Sequence, residues 1–125
     1  MSTARLYATE LRTRDWPRLV DWYRDVVGLK VAVRMTGERY ALLVAADLRR
    51  GDGRLMILGR DDAESAARRW SLAFEVSDLN GVTERLAATG LVVPAATEQA
   101  EGYRELIVDD PDGNRVRFFC WPQRS

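Results

Sequence analysis

The chain has 125 residues, the usual size of one domain and enough to bury a core without a disulfide or metal staple. Its 19 Lys and Arg balance 19 Asp and Glu with no basic tail or stripe, which argues against nucleic acid as a partner. Histidine is absent, which removes Ser-His-Asp and Cys-His nucleophile systems, imidazole acid–base catalysis and every zinc site that needs imidazole. Apolar runs such as Ala41–Ala46 are far too short to span a bilayer, and Met1–Arg5 leads into strand-like sequence without a signal-peptide core. The single cysteine, Cys120, suits a reducing compartment, so the expectation is a cytoplasmic protein that avoids membranes.

Leu6 to Thr13 alternates in strand fashion and runs into Asp15-Trp16-Pro17. Trp16, Leu19, Val20, Tyr23, Val26 and Val27 follow at helical spacing, with Asp15 as N-cap, Pro17 in the first turn and Gly28 as the stop. Extended segments are expected at Lys30–Met35, Arg39–Ala45 and Arg54–Leu58, separated by Thr36-Gly37-Glu38 and Arg50-Gly51-Asp52-Gly53. The polar stretch Arg60–Arg69 reads as a connector, in which Ala63–Arg68 could form a helical turn.

The plan then repeats. Ser71–Val76 reads as a strand, Asp78 as a cap, and Leu79, Val82 and Leu86 as a helical stripe ending at Gly90. Strands are expected at Leu91–Ala95, Tyr103–Val108 and Asn114–Trp121, with Asp110-Pro111-Asp112-Gly113 as the tight turn before the last. Aligning Asp15 with Asp78 brings Gly28 to within one position of Gly90, so each half is β-α-β-β-β. Three strands after each helix argue against an alternating Rossmann-like sheet.

Three segments carry a family resemblance. Residues Asp15 to Leu29 resemble the first helix of the glyoxalase and bleomycin-resistance family, the vicinal oxygen chelate superfamily. Ser71–Leu79 looks like that family's fifth strand, and Gly102-Tyr103-Arg104 followed by Asp110–Asn114 looks like its last hairpin. The resemblance implies an α+β fold: two tandem βαβββ modules, about 5–60 and 69–122, form a curled mixed sheet around a cavity, usually within a homodimer.

In metal-dependent relatives the chelating positions lie on the first and fourth strands of each module. Here the resemblance carries them to Ala8, Ser71, Ile57 and Arg117. These are not divalent-metal ligands, and Arg117 would set a positive charge where the cation belongs. A member without metal or other cofactor is therefore expected.

Strand alternation then sorts the neighbours. Glu10 and Arg12 share the face of Ala8; Ala73 and Glu75 that of Ser71; Arg115, Phe119 and Trp121 that of Arg117. Phe119 and Trp121 offer flat surfaces for an aromatic ligand, and Arg117 could pair with an anion or with a local carboxylate. Arg12 and Glu75 occupy equivalent places and are expected to pair with each other. Trp16, Trp22 and Tyr23 read as packing residues and Cys120 as an inert buried thiol.

The leading expectation is metal-independent binding of a bulky aromatic or conjugated small molecule, as in drug sequestration. Its ligand-binding residues would be Arg117, Phe119, Trp121, Ala8, Ser71, Ile57 and Glu10. One alternative is a metal-free isomerase or cyclase with Glu10 and Glu75 as bases. Another is a non-catalytic partner or regulatory subunit.

Overall fold

A computed structural model describes residues 7–45, 53–64 and 71–122. Leu6, residues 50–52 and the connector beyond Glu64 lie outside the described residues. The chain divides into two compact units, residues 1–64 and 65–125.

The first unit runs β1 (Ala8–Thr13), α1 (Trp16–Trp22), β2 (Lys30–Met35), β3 (Tyr40–Val44) and β4 (Arg54–Gly59). Asp15 caps α1 by accepting a hydrogen bond from the backbone N–H of Arg18 at 3.4 Å, while its own N–H donates to Thr13 Oγ1 at 3.1 Å. Beyond Trp22 the chain does not stop but winds more loosely, as a π-helical segment over Tyr23–Val27 that ends at Gly28. That wider turn rotates its last residue, so Val26 is buried whereas Val27, placed on the stripe by simple helical spacing, is only half-buried. Gly28 sits at φ +90°, a left-handed conformation that favours glycine.

The sheet order is β1-β4-β3-β2, with β1 and β4 parallel and the other pairs antiparallel. Leu11, Ala41, Leu43, Leu55 and Ile57 point to one face and are buried with Trp16, Leu19, Val20 and Tyr23. The indole N–H of Trp16 donates to the carbonyl of Ile57 at 3.1 Å, and the Arg34 guanidinium lies 4.7 Å from the Trp16 ring centre. The three aromatics of the first helix thus divide: Trp16 and Tyr23 are core, while Trp22 is half-buried with its ring edge-on to Tyr23 at 4.9 Å.

The second unit repeats this topology. It runs β5 (Ser71–Glu75), α2 (Leu79–Ala88), β6 (Thr97–Glu98), β7 (Arg104–Asp109) and β8 (Arg115–Cys120), in the order β5-β8-β7-β6. The Asp78 carboxylate caps α2 by accepting from the N–H of Asn80 at 2.9 Å. Leu79, Val82 and Leu86 of the helix are buried, as are Leu106, Val108, Val116 and Phe118 of the sheet. Each half is thus an α+β unit with one four-stranded mixed sheet.

One expected strand is misplaced. Leu91–Ala95 is irregular, Val92 is almost fully exposed, and the ladder partner of β7 is instead Thr97–Glu98. Pro94 supplies the reason: it has no N–H for a ladder and restricts the residue before it, so pairing resumes only beyond it.

Candidate ligand-binding site

The turn after β7 fixes the phase of the second sheet. Asp110 accepts hydrogen bonds from the N–H groups of Asp112 and Asn114, both at 2.9 Å, and from Asn114 Nδ2 at 2.8 Å. With Asp109 thus opposite Arg115, the register continues as Ile107 to Arg117 and Glu105 to Phe119. On the other side of β8, Ala73 lies opposite Arg117 and Glu75 opposite Phe119. Ser71, Ala73, Glu75, Arg115, Arg117, Phe119, Glu105 and Ile107 therefore share one face, and Val116 and Phe118 lie on the opposite, buried one.

On the shared face stands a polar network. Arg117 donates through Nε and Nη2 to Glu105 Oε1, and Gln99 Nε2 donates to Glu105 Oε2 at 3.0 Å and to Thr97 Oγ1 at 3.2 Å. The Glu105 side chain is only 5% exposed, whereas that of Arg117 is 34% exposed. The hydrogen bond to Glu105 is the main cause of a raised Arg117 pKa, opposed by desolvation and aided by the hydroxyl of Tyr103. The carboxylate that meets Arg117 is therefore a local one.

An aromatic cluster adjoins this pair. The ring of Tyr103 stands edge-on to Phe119 at 5.8 Å and to Trp121 at 5.3 Å. Phe119 and Tyr103 are half-buried and Trp121 is 48% exposed, so the cluster keeps accessible ring surface. Trp121 also borders a cleft of about 300 Å³ whose other walls include Asp78, Asn80, Glu98, Arg104 and Cys120. Cys120 is half-buried rather than fully buried, and its thiol donates to the carbonyl of Ser77 at 3.4 Å.

The first unit places its sequence-identified residues differently. Ala8 and Glu10 share a face with Arg54 and Met56, which lie opposite them on β4. Ile57 does not join them: it pairs with Leu11, is 0% exposed, and belongs to the helix-covered core. The assignment of Ile57 to ligand binding is thereby corrected; the β4 residues on the face of Ala8 are Arg54, Met56 and Leu58. Leu55-Met56-Ile57-Leu58 is apolar throughout, so alternation carries no phase there. Glu10 accepts from Arg12 Nε at 3.2 Å, giving Arg12 a partner on its own strand.

Neither set of residues suits the divalent ion of metal-dependent relatives. Ala8, Ser71 and Met56 or Leu58 supply no adequate donors, and Arg117 brings a cation already bound to Glu105. Among the described residues no group of three or more His, Cys, Asp or Glu side chains could hold a metal. No helix among the described residues is long and apolar enough to cross a membrane.

Sequence reasoning missed Glu105, Gln99 and Tyr103. Glu105 is reachable by counting back from the Asp110–Gly113 turn, which sets it opposite Phe119; Gln99 is not, because the edge strand is expected across Pro94, over Leu91–Ala95, rather than at Thr97–Glu98.

Comparison with solved structures gives the same fold at low identity. A glyoxalase/bleomycin resistance protein/dioxygenase domain from Frankia sp. EAN1pec is 20% identical, with 99% of this chain and 96% of that chain covered and a TM-score of 0.76. The fosfomycin resistance protein FosX from Listeria monocytogenes is 14% identical, covering 98% and 96% at a TM-score of 0.73. Lactoylglutathione lyase from Agrobacterium tumefaciens is 18% identical, covering 95% of both chains at 0.70. Comparison with curated protein sequences gave no match. Residues 5–118 match the family described as the glyoxalase/bleomycin resistance protein/dioxygenase superfamily, and the chain belongs to it.

Proposed function

We propose that this protein binds a bulky aromatic or conjugated small molecule without a metal ion, in the manner of a drug-sequestering protein. The observation that carries the reading is the accessible cluster of Tyr103, Phe119 and Trp121 beside the Arg117–Glu105 pair. Rings at edge-on geometry leave faces free for a planar ligand, and Trp121 also borders a cleft of about 300 Å³ at the end of the sheet. The lack of metal-ligand side chains at Ala8, Ser71 and Arg117, and membership of a superfamily whose description includes bleomycin resistance proteins, support it further. Ser71 belongs to the same face of the second unit's sheet as Arg117 and Phe119. A homodimer acting in the cytoplasm completes the proposal.

A thermal-shift screen tests it. The panel holds aromatic antibiotics, flavins, phenolic acids and acyl thioesters, each with and without divalent metal. The expected result is a metal-independent rise in Tm with at least one aromatic compound, lost in Trp121→Ala. A shift that requires metal, or none across the panel, would remove the proposal. Light scattering of the purified protein checks the dimer.

A further inference from the structure

We infer that Glu105 sets ligand specificity: by neutralising Arg117 beside Tyr103, Phe119 and Trp121, it restricts the site to planar ligands that carry no negative charge. The inference rests on the ligand-binding reading above. An arginine on the floor of a binding face ordinarily invites a carboxylate, phosphate or phenolate. Here that invitation is already taken. Glu105 Oε1 accepts from two nitrogens of Arg117, and Oε2 is held by Gln99 at 3.0 Å. At 5% exposure the carboxylate cannot turn to water, so a ligand anion that drew Arg117 away would strand a buried charge.

The surroundings add to this. Glu75 lies opposite Phe119 on the same face, so a second carboxylate flanks the ring. An anion that approached Arg117 would meet the carboxylate of Glu105 at close range, a like-charge juxtaposition that costs binding free energy. A neutral carbonyl or amide avoids that cost. It can still accept a hydrogen bond from the guanidinium, whose five N–H donors are not all used by Glu105.

The test is calorimetric titration at neutral pH with two ligands of one shape, naphthamide and naphthoate. The unaltered protein should bind naphthamide about tenfold or more tightly than naphthoate. Glu105→Gln should raise naphthoate affinity about tenfold while changing naphthamide little. The double variant Glu105→Gln/Arg117→Gln should lose that gain and keep the amide. If Glu105→Gln does not fold, the ligand pair on the unaltered protein decides alone. Naphthoate binding as tightly as naphthamide would overturn the inference and leave the binding reading standing. Binding of neither would remove both.

Discussion

Arg117 reaches Glu105 diagonally: the residue opposite Arg117 in register is Ile107, and the one opposite Glu105 is Phe119. A long side chain spans such a diagonal, and the burial of Glu105 makes the arginine hard to replace. In Arg117→Met the carboxylate keeps only Gln99 as donor. The expected cost is about 2–3 kcal/mol, below the 3–5 of a fully buried pair because Arg117 is one-third exposed. Adding Glu105→Leu should recover most of it. Urea unfolding of the four proteins in the cycle measures the coupling. Purely additive single and double variants would show that the pair contributes nothing as a pair.

A second constraint lies at Gly59, which ends β4 opposite Thr13. A Cβ there would lie 2.7 Å from the Cβ of Arg39 and 3.1 Å from that of Trp16, both close to the backbone and unable to swing aside. Gly59→Ala should therefore destabilise by about 1–3 kcal/mol through overpacking. Gly37, whose Cβ position meets nothing within 4 Å, is the control, and Gly37→Ala should fall within about 0.5 kcal/mol of the parent. Equal effects at both positions would refute the steric account.

Both positions show which features are legible in sequence. Caps and stops were readable: Asp15, Asp78, Gly28 and Gly90 each supply a short polar acceptor or a left-handed residue that few others can replace. The repeat and the shared face of β5 and β8 followed from period-2 alternation, because polar and apolar residues truly alternate in Arg115–Phe118. Where alternation fails, so did the reading. The uniformly apolar Leu55–Leu58 gave Ile57 the wrong face, and Pro94 displaced an edge strand. Glu105 and Tyr103 lay within an expected strand, yet their meeting with Arg117 and Trp121 depends on a hairpin register that only the turn hydrogen bonds fix.

That register depends on Asp110. Its carboxylate, 5% exposed with its residue, accepts from two backbone N–H groups and one side-chain amide, bracing the turn into Gly113 at φ +86°. Hydrogen bonds to a charged acceptor contribute about 1.5–3 kcal/mol, and their loss also leaves half-buried donors without this partner. Asp110→Ala should cost at least about 2 kcal/mol, and Asp110→Asn less, since an amide oxygen can still accept. Chemical denaturation measures both. Because the turn sets Glu105 against Phe119, Asp110→Ala should also weaken whatever ligand the thermal-shift screen finds. Undiminished binding would show that the site does not need this turn.

Acid sensitivity has one identifiable contributor in the loosely wound end of the first helix. Arg24 donates to both carboxylate oxygens of Asp25, at 2.7 and 3.0 Å, and this hydrogen bonding holds the Asp25 carboxyl below the usual carboxylate range. A folded-state pKa below the unfolded one gives stability that is present above the unfolded pKa and lost as pH falls through the folded one. The parent should thus have a slightly higher Tm than Asp25→Asn at neutral pH, and the gap should close below about pH 4. Both side chains are exposed, so the gap is small and should shrink in high salt. Between about pH 6 and 8 it should stay constant, since the chain has no imidazole to titrate. A gap that persists undiminished in strong acid would assign the effect of Asp25 to packing or helix winding rather than to its charge.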